Sequence, residues 1–233
     1  MTIFALVFLF LLTAVYNWNA ILYERRDADF AAKAISIVIL FCIVLFGNQR
    51  GQLDLMQGFF LAALAISLVA DVLKTLPQRR YFHAGVVVFL LVHLLYIIGM
   101  TLTFPTFWAR LLVVPIAVLG AVQVFIIRRG AVKKQLPSMV KPIAIYGVVL
   151  SLFLFAGMAG LFHADWLYSW NWIKYLTLAI GCSLVYLSDS LLGYGLFCSE
   201  ERSAVNKIWV ILLYHLGQLF LALGCIADVS GLY

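Results

Sequence analysis

The sequence predicts an all-α, polytopic membrane protein with eight transmembrane helices, forming a single integral membrane domain over residues 1–233. Three observations carry this reading. The chain is 65% hydrophobic and only 11% charged, whereas a soluble domain carries about 25% charged residues. Eight apolar runs each approach or exceed the roughly 20 residues needed to cross the hydrocarbon core. The breaks between them are short and polar, so no separate soluble domain fits. The bilayer is therefore the solvent, and any chemistry belongs to the helices and their ends.

The first run, 2–23, lacks a basic leader and a small-residue cleavage site, so it reads as a retained first helix rather than a signal peptide. The second, 30–46, follows the break "ERRDAD" and is short for a span. The third, 55–76, and fourth, 81–103, are separated by "PQRR". The fifth, 108–127, contains Pro115, which predicts a kink. It ends at "RRGAVKKQLP", before the sixth run, 138–162. The seventh, 172–197, and eighth, 205–227, flank "CSEERSAVNK". On these last two, Gly193, Gly195, Gly217 and Gly224 are expected to permit close helix contact. Cys42, Cys182, Cys198 and Cys225 fall in or at the ends of apolar runs without C-x-x-C spacing, and read as small buried hydrophobes.

Basic residues orient the bundle. Of the 16 Lys and Arg, only Arg50, Arg110 and Lys174 lie on the side of the even-numbered connections. The other thirteen flank the odd-numbered ones, which places those in the cytoplasm and both termini on the far side. The formal charge of +6 is mostly this bias. It is spread over short loops rather than gathered in a stripe with interleaved aromatics, so a nucleic-acid partner is not expected. The bias suits a bacterial inner membrane or a eukaryotic endoplasmic reticulum. Nothing in the sequence fixes an oligomeric state.

Two acidic residues stand well inside apolar runs: Asp71 in "LVADVLK" and Asp189 in "LSDSLL". Both fall in the cytoplasmic half of helices that run inward. An Asp at the centre of a span costs about 2.5–3.5 kcal/mol on insertion scales, so each needs a polar partner or cavity. The fourth run offers His93 and Tyr96, three apart on one face. The eighth offers Tyr214, His215 and Gln218, with Tyr214 and Gln218 four apart. Ser67, Asp71 and Lys74 make one stripe on the third run, and Tyr186 and Asp189 another on the seventh. Lys33 and Lys141 open the second and sixth, with Tyr146 a turn deeper than Lys141. The order Lys33, Asp71, His93 and Tyr96 is echoed by Lys141, Asp189, Tyr214 and Gln218. That echo predicts a degenerate parallel repeat of four plus four helices, with halves 1–127 and 128–233, whose pseudo-axis would draw the two aspartates toward one site.

The stretches "ADVLK", "YFHAGVVVFLLVHLLY", "YLSDSLL" and "LLYHLGQLFLALG" resemble, in order, the YhhN-type lysoplasmalogenase family. The family's motifs fall on Asp71, Phe82, Gly85, His93, Tyr96, Ser188, Asp189, Ser190, Tyr214 and Gln218, and its lysine opening the second helix falls on Lys33. The chain departs from the pattern at Ala34, Ala70 and Lys74, which bears on substrate preference more than on fold. The resemblance implies hydrolysis of the vinyl ether bond of a lysoplasmalogen to a fatty aldehyde and a glycerophosphoethanolamine or glycerophosphocholine. It implies a lysophospholipid substrate drawn from the surrounding membrane lipid, and no cofactor.

Two carboxylates suit that reaction. Two neighbouring carboxylates in a low-dielectric site are not expected to ionise together, so one can hold a proton while the other is an anion. On this reading Asp71 and Asp189 are catalytic, while His93, Tyr96, Tyr146, Tyr214, His215 and Gln218 orient substrate or water. Lys33, Lys74, Arg79 and Arg80 would meet the phosphate. Two alternatives remain at this point. One is a metal-dependent lipid hydrolase with Asp71, Asp189, His93 and His215 as ligands, although no H-E-x-x-H motif is present and no metal is expected. The other is a small-solute transporter, although neither aspartate lies beside a proline- or glycine-rich helix break.

The topology is directly testable. Tags on either terminus should be inaccessible from the cytoplasm, while a cysteine placed at Gln135 should be labelled from the cytoplasmic side. Termini on opposite faces would overturn both the orientation and the repeat.

Overall fold

A computed structural model of the chain describes residues 3–47, 53–75, 79–101, 107–162, 172–200 and 204–227. The described helices are α1 (Ile3–Leu22), α2 (Arg26–Phe46), α3 (Leu55–Thr75), α4 (Arg79–Thr101), α5 (Val113–Lys133), α6 (Val140–Ala159), α7 (Trp172–Phe197) and α8 (Ala204–Ile226). Short 3-10 turns occupy Phe107–Leu112, Pro137–Met139 and Gly160–Phe162. All eight α-helices, with their flanking turns, are long and apolar enough to cross a membrane. Among the described residues there is no strand.

Three boundaries differ from the sequence reading. α2 starts at Arg26 rather than residue 30, because Asp27 and Asp29 occupy its first turn, where negative charge complements the helix dipole. The second span is thereby a full 21 residues. α5 continues through "RRGAVK" to Lys133, with that cation in its last turn. Pro115 produces no mid-helix break, since α5 begins at Val113 and Pro115 lies in its first turn. An N–H there has no intrahelical acceptor in any case.

α1 and α5 end through the same device. Glu24 (φ 53°) and Gln135 (φ 57°) are both left-handed. In each case the following amide reaches back five residues, Arg25 to the Ala20 carbonyl and Leu136 to the Ala131 carbonyl. This is the Schellman arrangement that closes a helix when its last carbonyls need donors.

The helices pack as a ring in which α1, α2, α3, α4, α6, α7 and α8 each touch the next, and α8 returns to α1. α8 also contacts α2 and α3, making it the most enclosed helix. α5 lies outside, against α6 and α7, and exposes Val114, Val118, Val122 and Phe125 where lipid would lie. α1 buries Leu6, Phe10, Ala14 and Asn17 on one stripe and turns Phe4, Phe8 and Val15 outward, as expected when only one face meets protein. The proposed four-plus-four repeat would interchange the α2–α8 and α4–α6 contacts, and both exist. The α1–α8 contact has no α4–α5 equivalent of comparable extent among the described residues.

α7 and α8 cross at backbone distance. A Cβ on Gly217 would lie 3.0 Å from the Val185 amide nitrogen and 3.1 Å from the Gly181 carbonyl oxygen. A Cβ on Gly181 would lie 2.9 Å from the Leu221 nitrogen, and one on Gly224 3.0 Å from the Leu178 nitrogen. Gly217 and Gly224 thus act as expected, and Gly181 joins them. Gly193 instead faces the Ile127 side chain of α5, and Gly195 faces Asn206. Of the cysteines, Cys182 and Cys225 are buried, Cys42 and Cys198 are half-buried, and all four are free.

Because backbone atoms line the crossing, it has little room to yield. Gly217→Leu should destabilise the protein by about 1–3 kcal/mol or more, the range for overpacking a tight contact. It should do so more than Gly58→Leu, where a Cβ meets nothing within 4 Å. Thermal unfolding in detergent measures the difference, and equal effects at the two sites would contradict the close crossing.

Candidate active site

The α7–α8 crossing sets the depth of Asp189. The hydroxyl of its neighbour Ser188 donates to the Val210 carbonyl of α8 at 2.8 Å, fixing the register of the two helices. Asp189 is only 7% exposed. Two groups from other helices meet its Oδ2. The Tyr146 hydroxyl of α6 donates to it, and His93 Nε2 of α4 lies 3.3 Å away. The His93 ring is 2% exposed and is framed by Phe89 (5.4 Å), Phe153 (4.9 Å) and Tyr146 (5.8 Å), each roughly edge-on.

The hydrogen bonds of His93 determine where its proton sits. Nδ1 is 2.9 Å from the Phe89 carbonyl oxygen, and a carbonyl only accepts. Nδ1 therefore carries hydrogen. The contact between Nε2 and Asp189 Oδ2 then requires one more proton on that axis, because two lone pairs would otherwise face each other. Imidazolium with carboxylate, or imidazole with carboxylic acid, both satisfy it. His93 and Asp189 thus share one transferable proton in an apolar, aromatic-walled site.

A second set of polar groups flanks this pair. The Tyr96 hydroxyl of α4 donates to Gln218 Oε1 of α8 at 2.7 Å, both side chains being buried. One turn along α8, Tyr214 lies within electrostatic reach of Asp71, Tyr96 and Asp189. Its hydroxyl approaches Ser67 but makes no hydrogen bond of good geometry. Ser67 spends its own proton on the Leu64 carbonyl at 2.7 Å. Tyr214 is thus close enough to feel both aspartates without bonding either.

Asp71 is only partly buried and borders a cavity of about 600 Å³. The cavity lies between the end of α1, the start of α2, the ends of α3 and α7, and the start of α8. Leu191, Leu192 and Val210 form its apolar wall, and Arg25, Arg26, Lys33 and Lys207 are among its charged lining. Asp189 lies three residues before Leu192 on α7, about 4.5 Å deeper along the axis.

The structure gathers Asp189, His93 and Tyr146 by direct contact, joins Tyr96 to Gln218, and leaves Tyr214 within electrostatic reach of Asp71 and Asp189. It places His215 elsewhere. That ring faces α1, where Trp18 Nε1–H donates to its Nδ1 at 3.2 Å and Phe10 packs edge-on at 5.8 Å. Nδ1 must accept, so His215 is the neutral tautomer with hydrogen on Nε2. That buried Nε2 has no partner. Lys33 lines the cavity but is paired with Asp29 at 3.1 Å. The backbones of Lys74, Arg79 and Arg80 belong to α3 and α4, and their side chains, with that of Phe82, lie outside the described residues.

Sequence reasoning missed Asn17 and Asp29. Asn17 is wholly buried on α1, and its amide donates at 2.8 Å to both the carboxylate and the backbone carbonyl of Asp29. The available signal was a pair of amides, Asn17 and Asn19, in the stretch "VYNWNA" of an apolar run. Among the described residues, no three His, Cys, Asp or Glu side chains converge. Asp71, Asp189, His93 and His215, the four residues considered as metal ligands, therefore do not form a three-ligand cluster. α3 and α7 run as continuous helices past their aspartates.

The family model for the YhhN family matches residues 28–225, most of the chain and all of the groups just described except those on α1 and Arg25 and Arg26 at the start of α2. No curated protein and no solved structure matches the chain.

The two buried histidines should be distinguishable in solution. Nitrogen-15 NMR of histidine-labelled protein near neutral pH should show His215 protonated at Nε2 alone and His93 protonated at Nδ1. A proton on His215 Nδ1 would contradict the Trp18 contact.

Proposed function

This chain belongs to the YhhN family, and on that premise we propose that it is a membrane-embedded hydrolase that cleaves the vinyl ether bond of lysoplasmalogens. The products are a fatty aldehyde and a glycerophosphoethanolamine or glycerophosphocholine. The observation that carries the reading is the 3.3 Å contact between His93 Nε2 and Asp189 Oδ2, with Nδ1 turned to the Phe89 carbonyl and a second carboxylate, Asp71, on the adjoining cavity.

The reaction needs a proton on carbon. Asp189 and His93 deliver their shared proton to the outer vinylic carbon, and the ether oxygen stabilises the resulting oxocarbenium ion. The Asp189 carboxylate left behind, held by Tyr146, supplies the negative charge that this cation requires. Asp71, facing the cavity, takes a proton from water as its oxygen adds to the oxocarbenium carbon. The hemiacetal then collapses: its hydroxyl proton is lost, the carbon–oxygen bond to glycerol breaks, and the glycerol oxygen takes up a proton. One water is consumed, and the site returns to its starting protonation. Tyr214, within electrostatic reach of both aspartates, orients the water and lets protons redistribute. On this reading His93 is a proton-sharing group rather than only an orienting one.

The lipid would enter from the side of the odd connections. Its phosphate would stay near the basic residues there, and its chain would pass Leu191 and Leu192 toward Asp189. The Asp189 carboxyl lies in the membrane because the first carbons of a lysolipid chain lie just below the interface.

Purified protein should release aldehyde from a lysoplasmalogen and leave an ester-linked lysophospholipid intact. Asp71→Asn and Asp189→Asn should each insert and fold but lose at least about 100-fold in turnover, as for loss of an acid or base. His93→Gln should fall in the same range, and turnover should slow in heavy water. Near-wild-type activity in either aspartate variant would sink the two-carboxylate mechanism.

A further inference from the structure

The cavity is lined by both signs of charge. Arg25, Arg26, Lys33 and Lys207 are cationic, while Glu24, Asp29 and Asp71 are anionic. A site for a simple anion would not need carboxylates on the same wall. Asp29 is moreover held in place: the buried Asn17 amide grips both its carboxylate and its backbone carbonyl. Lys33 lies 3.1 Å from its Oδ1 and 3.4 Å from its Oδ2. A primary ammonium therefore already sits on Asp29, supplied by the protein itself.

We propose that this cavity is a headgroup site selective for phosphoethanolamine, in which the ligand's primary ammonium replaces Lys33 on Asp29. Lys33, released, turns with Arg25, Arg26 and Lys207 to the phosphate. The exchange is balanced in charge: one ammonium–carboxylate pair is replaced by another, and the phosphate gains the freed cation. Glu24 on the rim gives the ammonium a second acceptor. A trimethylammonium has no N–H to donate, so it cannot replace the Lys33 hydrogen bonds, and the exchange discriminates against phosphocholine. Asn17 is a positioning residue, since it touches Asp29 and not the ligand. The inference deepens the lysoplasmalogenase reading and rests on it for the lipid's identity, but binding is measurable without turnover.

The test uses full-length protein in neutral detergent and saturated 1-O-alkyl glycerophospholipids, which have no vinyl ether to cleave. Direct binding is compared for phosphoethanolamine, phosphocholine and phosphoglycerol headgroups and for inorganic phosphate. The phosphoethanolamine lipid should bind at least about tenfold tighter than the phosphocholine lipid, the worth of a hydrogen bond to a charged group. Asp29→Asn should abolish that preference by weakening phosphoethanolamine alone, and Glu24→Gln, at an exposed position, should reduce it. Arg26→Gln should weaken both lipids alike. Equal binding of the two zwitterionic lipids by the wild type would overturn the proposal, as would phosphoglycerol or free phosphate binding as tightly as phosphoethanolamine. Selective binding without aldehyde release would uphold the headgroup site and refute the hydrolase reading instead.

Discussion

A carboxylate in the apolar interior must be satisfied or neutralised, and the arrangement around Asp189 is organised by that requirement. The penalty for an unpaired buried charge is several kcal/mol. Three helices answer it. α4 contributes His93, α6 contributes Tyr146, and α8 holds α7 in register through the Ser188–Val210 hydrogen bond. The glycine crossing of α7 and α8 is part of the same solution, since it brings Tyr214 and Gln218 close to residues of α3 and α4. What satisfies the charge also leaves one proton movable.

The two aspartates solve the burial problem in different ways. Asp189 is buried against Tyr146 and against the His93 imidazole, which is itself framed by aromatic rings. Asp71 remains partly open to a cavity. This asymmetry separates their proposed roles as acid and base, which equal burial would not do. Tyr214 lies within electrostatic reach of both and makes no hydrogen bond of its own.

The two histidines illustrate how context sets chemistry. Adjacent to a carboxylate and donating to a carbonyl, His93 can hold or release a proton. His215, accepting from Trp18 among aromatic rings, is fixed in a neutral form and ties α8 to α1. The α1–α2 corner thereby joins the site from the other side, with Asn17 and Asp29 carrying the contact to the cavity.

The sequence by itself determined the solvent, the number of spanning helices and the residues that had to meet. Apolar runs of spanning length admit only helices in lipid, and a lone Asp in such a run demands a partner. Asp71, Asp189, His93, Tyr96, Tyr214 and Gln218 were legible on that ground, with residue order adding the family resemblance. Which partners meet was not legible, because contact between helices depends on rotation and crossing rather than spacing along one chain. Only the tertiary structure paired His93 and Tyr146 with Asp189, turned His215 toward α1, and set Lys33 on Asp29. It also moved two helix ends into stretches that read as loops, since charged residues at the correct helix end stabilise it rather than stop it. His93 turns its Nδ1 to a single backbone carbonyl, that of Phe89, whose position relative to the ring no side-chain pattern encodes.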